Sequence, residues 1–167
     1  KGIVDGEEYT AVDREMLISM VQGGADVTKV VTTLVTDMSL VFLHKTNFNQ
    51  DIGKWDVGNV TNMEAMFTNA TSFNLDISGW NVSNVTNMDN MFKGAFAMNQ
   101  NIWVWDICAN AGLNNIFDGA TSMLSVSNPQ GETPNIDACG NSVAGDWFRF
   151  PYTFTSRGYT SGTDYAP

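Results

Sequence analysis

A period of 25 residues runs through the middle of this chain, marked by tryptophan at Trp55, Trp80 and Trp105. A whole cassette recurs with it. Asp51-Ile-Gly-Lys-Trp-Asp-Val-Gly-Asn-Val-Thr-Asn-Met-Glu-Ala-Met-Phe67 is followed by Asp76-Ile-Ser-Gly-Trp-Asn-Val-Ser-Asn-Val-Thr-Asn-Met-Asp-Asn-Met-Phe92. A constant period of this length belongs to chains in which no single repeat can bury its apolar face alone, so neighbours must stack. Aligning the repeats gives apolar columns: Ile52, Ile77 and Ile102; Val57, Val82 and Ile107; Met38, Met63, Met88 and Leu113; Phe42, Phe67, Phe92 and Phe117; Ala70, Ala95 and Ala120; Phe48, Phe73, Met98 and Met123. Trp55, Trp80 and Trp105, with Met63, Met88, Phe67, Phe92 and Phe117, therefore read as packing residues before anything else.

Within one cassette, Ile52-x-x-Trp55-x-Val57-x-x-Val60-x-x-Met63 fits leucine-rich-repeat spacing and predicts a short strand around Trp55 to Val57. Met63, Met66, Phe67 and Ala70 are then spaced as one helical face, with Thr61 or Asn62 placed to cap it. The expected fold is a leucine-rich-repeat-like solenoid, one short strand and one short helix per coil, with four coils over 26–125. The first coil is degenerate, and the last is degraded at 109–112. Ahead of it, 1–25 is expected to form an extension and a capping helix, with an apolar stripe of Val12, Met16, Leu17, Met20 and Val21, a capping-box spacing at Thr10 and Asp13, and a stop at Gly23-Gly24. Behind it, 126–167 reads as a C-terminal cap or tail. Phe148, Phe150, Tyr152 and Phe154 alternate there as in a half-buried strand, and Pro151 confines that strand to a sheet edge. Its aromatic face has two docking sites open to it, the last coil or another subunit; the Lys1 to Tyr9 segment is a second candidate for a subunit contact.

With 167 residues and 43% hydrophobic composition the chain has enough apolar material for a core. Its 8 basic and 18 acidic residues leave a net charge of −10, which sets aside nucleic acid and anionic membrane surfaces as partners. No apolar stretch approaches the roughly 18 residues of a membrane span, and no signal segment is seen. The start at Lys1 suggests a processed product or a fragment. Cys108 and Cys139 allow one bridge, which suits an oxidising compartment, or two buried thiols; their spacing does not suit zinc.

The string Phe48-Asn-Gln-Asp-Ile-x-x-Trp55-Asp-Val-x-Asn-Val-Thr-Asn-Met-x-x-Met-Phe67 resembles the BspA-like leucine-rich-repeat surface proteins, found among bacterial surface lipoproteins and adhesins and in some microbial eukaryotes. The resemblance spans about Asp26 to Met123, and Tyr9 to Leu17 looks like the helix preceding such arrays. It implies an extracellular, non-enzymatic role in attachment or in building surface structures, and it supplies no catalytic residue.

The residues themselves offer little for catalysis. His44, the only histidine, falls in a loop without a nucleophile in a pairing motif, and Gly23-Gly24 lacks the Lys-Ser/Thr of a phosphate loop. Asp51, Asp76 and Asn101 share one column, and Asp56, Asn81 and Asp106 another. Coils at strand spacing put such carboxylates roughly 5 Å apart, where they repel by about 1 kcal/mol in water. A bound Ca²⁺ would relieve that, but the Asn substitutions break both rows, and Asp or Asn in a turn commonly serves the backbone instead. No cofactor is expected, with Ca²⁺ at Asp51, Asp76, Asp56 and Asp106 the one weak metal candidate. Asn59, Asn69, Asn81 and Asn84 each begin an Asn-x-Ser/Thr sequon. Trp103 stands where the earlier coils have Gly53 and Ser78, outside the apolar columns, and is the best single candidate for an exposed contact. Two roles follow as expectations: a structural subunit that joins copies of itself head to tail into a surface fibre or coat, and an adhesin module that binds a host protein or glycan. An enzyme is not expected.

Overall fold

The computed structural model describes residues 1–4, 6–102, 105–107 and 111–123. Strand β1 (Gly2–Val4) and strand β2 (Glu7–Ala11) form an antiparallel hairpin with Gly2 opposite Tyr9 and Val4 opposite Glu7. Gly6, in its loop, takes φ +80°, a conformation that costs glycine little. β2 also runs parallel to β3 (Val30–Val31), pairing Thr10 with Val30 and Ala11 with Val31, so the sheet order is β1-β2-β3. Between them lies helix α1 (Arg14–Gln22). Its N-cap is Asp13, whose carboxylate accepts the Met16 N–H at 2.8 Å, while Thr10 belongs to β2 rather than to a capping box. Leu17 and Val21 bury its inner face, and Gly23 and Gly24 end it by donating to the Ser19 and Val21 carbonyls.

The leucine-rich-repeat solenoid expected from the sequence is overturned. One short helix and a three-stranded mixed sheet are the named elements of the described residues, and none of them lies beyond β3. Neither the strand around Trp55 to Val57 nor the helix from Met63 forms. The backbone amides show why. In 63–70, the Met66, Thr68 and Ala70 N–H groups each close a turn onto the carbonyl three residues back, at 3.2, 3.1 and 2.9 Å. The amides between them leave the cassette altogether: Met63, Ala65, Phe67 and Asn69 donate to the carbonyls of Asn87, Asp89, Met91 and Lys93 at 2.7–2.8 Å. An α-helix needs its amides inside its own segment, and half of these are spent on the neighbour. Positive φ at Ala65 (50°) and Asn69 (57°) is equally incompatible with a right-handed helix. The pattern repeats at Leu40, Asn90 and Asn115 and at His44, Gly94 and Gly119. Consecutive cassettes are joined at single parallel bridges, Asp37 to Asn62, Asn62 to Asn87 and Asn87 to Gly112.

The apolar columns form the core of these layered turns. Phe42, Phe67, Phe92 and Phe117 stack with ring centroids 5.1, 5.5 and 5.7 Å apart, and Trp80 lies nearly parallel to Trp105 at 6.3 Å. Met38, Met63, Met66, Met88 and Met91 are fully buried beside them. Each indole also reaches the preceding cassette: Trp55, Trp80 and Trp105 donate from Nε1 to the carbonyls of Val27, Ile52 and Ile77 at 2.9, 3.1 and 3.0 Å. Tryptophan thus fills the layer and ties it to the preceding one, its indole joining the N–H of Trp55 on the Ile52 carbonyl and that of Trp80 on the Ile77 carbonyl.

Candidate functional site

The polar residues that the sequence singles out line the turns between layers. Asp51 accepts the Gly53 N–H at 3.1 Å, Asp56 that of Gly58 at 3.1 Å, and Asp76 that of Ser78 at 2.9 Å. These are Asx turns, in which a carboxylate oxygen holds the backbone two residues on. The Ser78 N–H and hydroxyl together hold the Asp76 carboxyl below the usual carboxylate range. Asp56 also accepts the Thr33 hydroxyl at 3.1 Å. Asp106 is half-buried. Among the described residues no group of three or more His, Cys, Asp or Glu side chains gathers as a metal site would require.

Two of the sequon asparagines tie layers together. Asn59 donates from Nδ2 to the Thr33 carbonyl at 3.0 Å, and Asn84 to that of Gly58 at 2.7 Å. The nitrogen a glycan would use is the one in each bond. Asn81 turns its Oδ1 to the Ser83 N–H and hydroxyl, and Asn69 places Nδ2 3.2 Å from the Nδ1 of His44. Trp103, Cys108, Cys139, Phe148, Phe150, Tyr152 and Phe154 lie outside the described residues, so the proposed bridge and the aromatic interface are not placed.

Other groups went unseen in the sequence. In interior layers the carbonyls of Glu64, Asp89 and Asn114 accept the N–H groups of Leu40, Ala65 and Asn90. Ser39 occupies the same column in the first cassette, where no earlier layer exists. Arg14 of α1 fills that place, donating from Nη2 to the Ser39 carbonyl and hydroxyl, both at 3.0 Å, while its Nε lies 3.3 Å from Asp37. Burial pushes the Asp37 carboxyl up, but the Ser39 N–H and hydroxyl and the Arg14 guanidinium outweigh it and hold the group below its ordinary value. Gln50 adds a second clasp, accepting from the Val27 N–H and donating to the Ala25 carbonyl. Exposed apolar side chains mark the remaining surface: Ile3 (77%), Leu34 (71%) and Phe96 (51%). Phe96 was readable from the period, since Thr46, Thr71 and Thr121 hold its column. Arg14 was not, because nothing in the helix sequence says which carbonyl lacks a donor.

No helix among the described residues is long and apolar enough to cross a membrane. No curated protein and no solved structure matches the chain. A family described as "Mycoplasma protein of unknown function, DUF285" matches residues 14–128. That match replaces the BspA-like leucine-rich-repeat assignment: no such family is detected, and the spacing that suggested it is produced here by layered turns. The matched stretch takes in α1 and every described cassette, and the chain belongs to the DUF285 family.

Proposed function

We propose that the protein is a non-enzymatic structural subunit, displayed outside the cell, that assembles with copies of itself into a fibre or coat. The observation that carries this reading is where hydrogen-bonding capacity is used up and where it is left over. Inside the stack, carboxylates, asparagines and indoles hold turns and layers together. At the head, by contrast, the sheet ends on β1 among the described residues, with Ile3 exposed. Contact between unlike ends does not close on itself and so builds filaments. Sedimentation velocity and electron microscopy of the full chain over a wide concentration range test this; monomers throughout would remove it.

A second reading, an adhesin module for a host protein or glycan, is favoured by Phe96 and Leu34, because exposed aromatic and aliphatic side chains anchor such contacts. Arrays of glycans and surface proteins probed with the wild type and with Phe96→Ala test it. Equal binding by both chains would remove Phe96 as the anchor.

A further inference from the structure

The outer edge of β1 has no strand partner among the described residues. Two residues separate Val4 from Glu7, so these form the closing hydrogen-bonded pair of the hairpin, and the alternation of an antiparallel ladder turns the N–H and C=O of Ile3 outward. Ile3 is also the most exposed large apolar side chain of the described residues, at 77%. An outward amide beside an exposed apolar side chain is what a further strand would need.

The sequence supplies a strand that fits. In a strand, alternate residues turn their N–H groups toward the same neighbour and their side chains to the same face. Over 148–154, Phe148, Phe150, Tyr152 and Phe154 share one alternation and each has an N–H, while Pro151, which has none, falls on the other. Joined antiparallel through its aromatic set, this segment would lose no donor to the proline and would lay its rings along the face that carries Ile3. It holds Arg149 and no carboxylate, whereas the hairpin exposes Glu7 and Glu8, so its approach to a chain of net charge −10 is not opposed.

We propose that the 148–154 segment of one copy adds as a strand to the outer edge of β1 in the next copy, linking subunits by strand donation. This rests on the self-assembly reading and names its interface. Donor and acceptor are different surfaces, so the link repeats without closing.

The test uses full-length chains, checked by circular dichroism for an unchanged fold. Ile3→Pro removes the outward N–H and leaves the Gly2–Tyr9 and Val4–Glu7 pairs in place; Phe150→Pro puts the missing donor on the aromatic set; Arg149→Pro puts it on the other. Sedimentation velocity should show concentration-dependent polymers for the wild type and Arg149→Pro, and monomers for Ile3→Pro and for Phe150→Pro. An equimolar mixture of the last two, one with an intact donor and the other with an intact edge, should stop at dimers of twice the monomer mass. Polymers from Ile3→Pro would overturn strand donation and leave self-assembly standing. A wild type that stays monomeric at every concentration would remove self-assembly, and protection of the Ile3 amide from hydrogen exchange in that monomer would show the strand bound within its own chain.

Discussion

Each buried tryptophan is held by two different forces, and they can be separated. Trp80 is 3% exposed, stacks on Trp105 and Phe67, and donates to the Ile52 carbonyl. Trp80→Phe keeps an aromatic ring but removes one of two donors to that carbonyl, which still accepts the Trp55 N–H at 3.0 Å, at a cost of about 0.5–1.5 kcal/mol for the lost hydrogen bond, with lost volume added to it. Urea denaturation monitored by circular dichroism measures the sum. Leu40 presents the opposite case: it sits at φ 65° where its column also holds Ala65, Asn90 and Asn115, and it is 49% exposed. A left-handed leucine costs roughly 1–2 kcal/mol and asparagine tolerates that conformation better, so Leu40→Asn should raise the melting temperature measured by calorimetry. The tryptophan column was legible because burial follows the period. The strain at Leu40 was not, because neither leucine nor alanine signals a left-handed position.

Among the elements, α1 is the one whose contacts reach beyond packing. Of the stripe expected over Val12, Met16, Leu17, Met20 and Val21, Val12, Leu17 and Val21 are buried and Met20 packs partly against the core, whereas Met16 is 46% exposed. The helix's polar task was not readable, since Arg14 takes the place that a preceding layer's N–H would hold at the Ser39 carbonyl. Arg14→Ala should destabilise by about 1–3 kcal/mol through the bared Ser39 carbonyl, and Arg14→Lys should recover only part of this because a single ammonium cannot span Ser39 and Asp37 as the guanidinium does. Melting temperatures of the two variants check the order. A pH series adds an independent test. The Asp37 carboxyl is depressed on folding from its ordinary value of 3.8, so its contribution is present above that value and is lost as pH falls through the folded one. Stability should therefore fall as the pH drops below 3.8 and through the lower folded value, and less steeply in Asp37→Asn. The segment 63–70 misled for a specific reason. Met63, Met66, Phe67 and Ala70 have helical spacing, yet linked turns bury the same residues, and the positive φ at Ala65 and Asn69 together with the amides that cross to the next cassette distinguishes the two.

In the whole molecule, the layers depend on one another more than on themselves, since alternate amides over 38–44, 63–69 and 88–94 close on the next cassette. A change that breaks one interior layer should therefore reduce the cooperativity of unfolding and not merely its midpoint. Gly53→Val gives a concrete case, because a Cβ there would lie 2.5 Å from the backbone carbonyl oxygen of Asp76 in the next layer. Hydrogen exchange should show lost protection spreading from Met63, Ala65 and Phe67, whose amides bond across that boundary. The 25-residue columns established which side chains are interior, because burial of an apolar face must recur wherever the cassette recurs. Where the backbone amides go was decided only in three dimensions. The same apolar spacing serves a helix, whose amides bond within the segment, and a chain of turns, whose amides cross to the next layer. The presence of a neighbour to receive them chose between the two, and the lack of one at the head left Ser39 to Arg14.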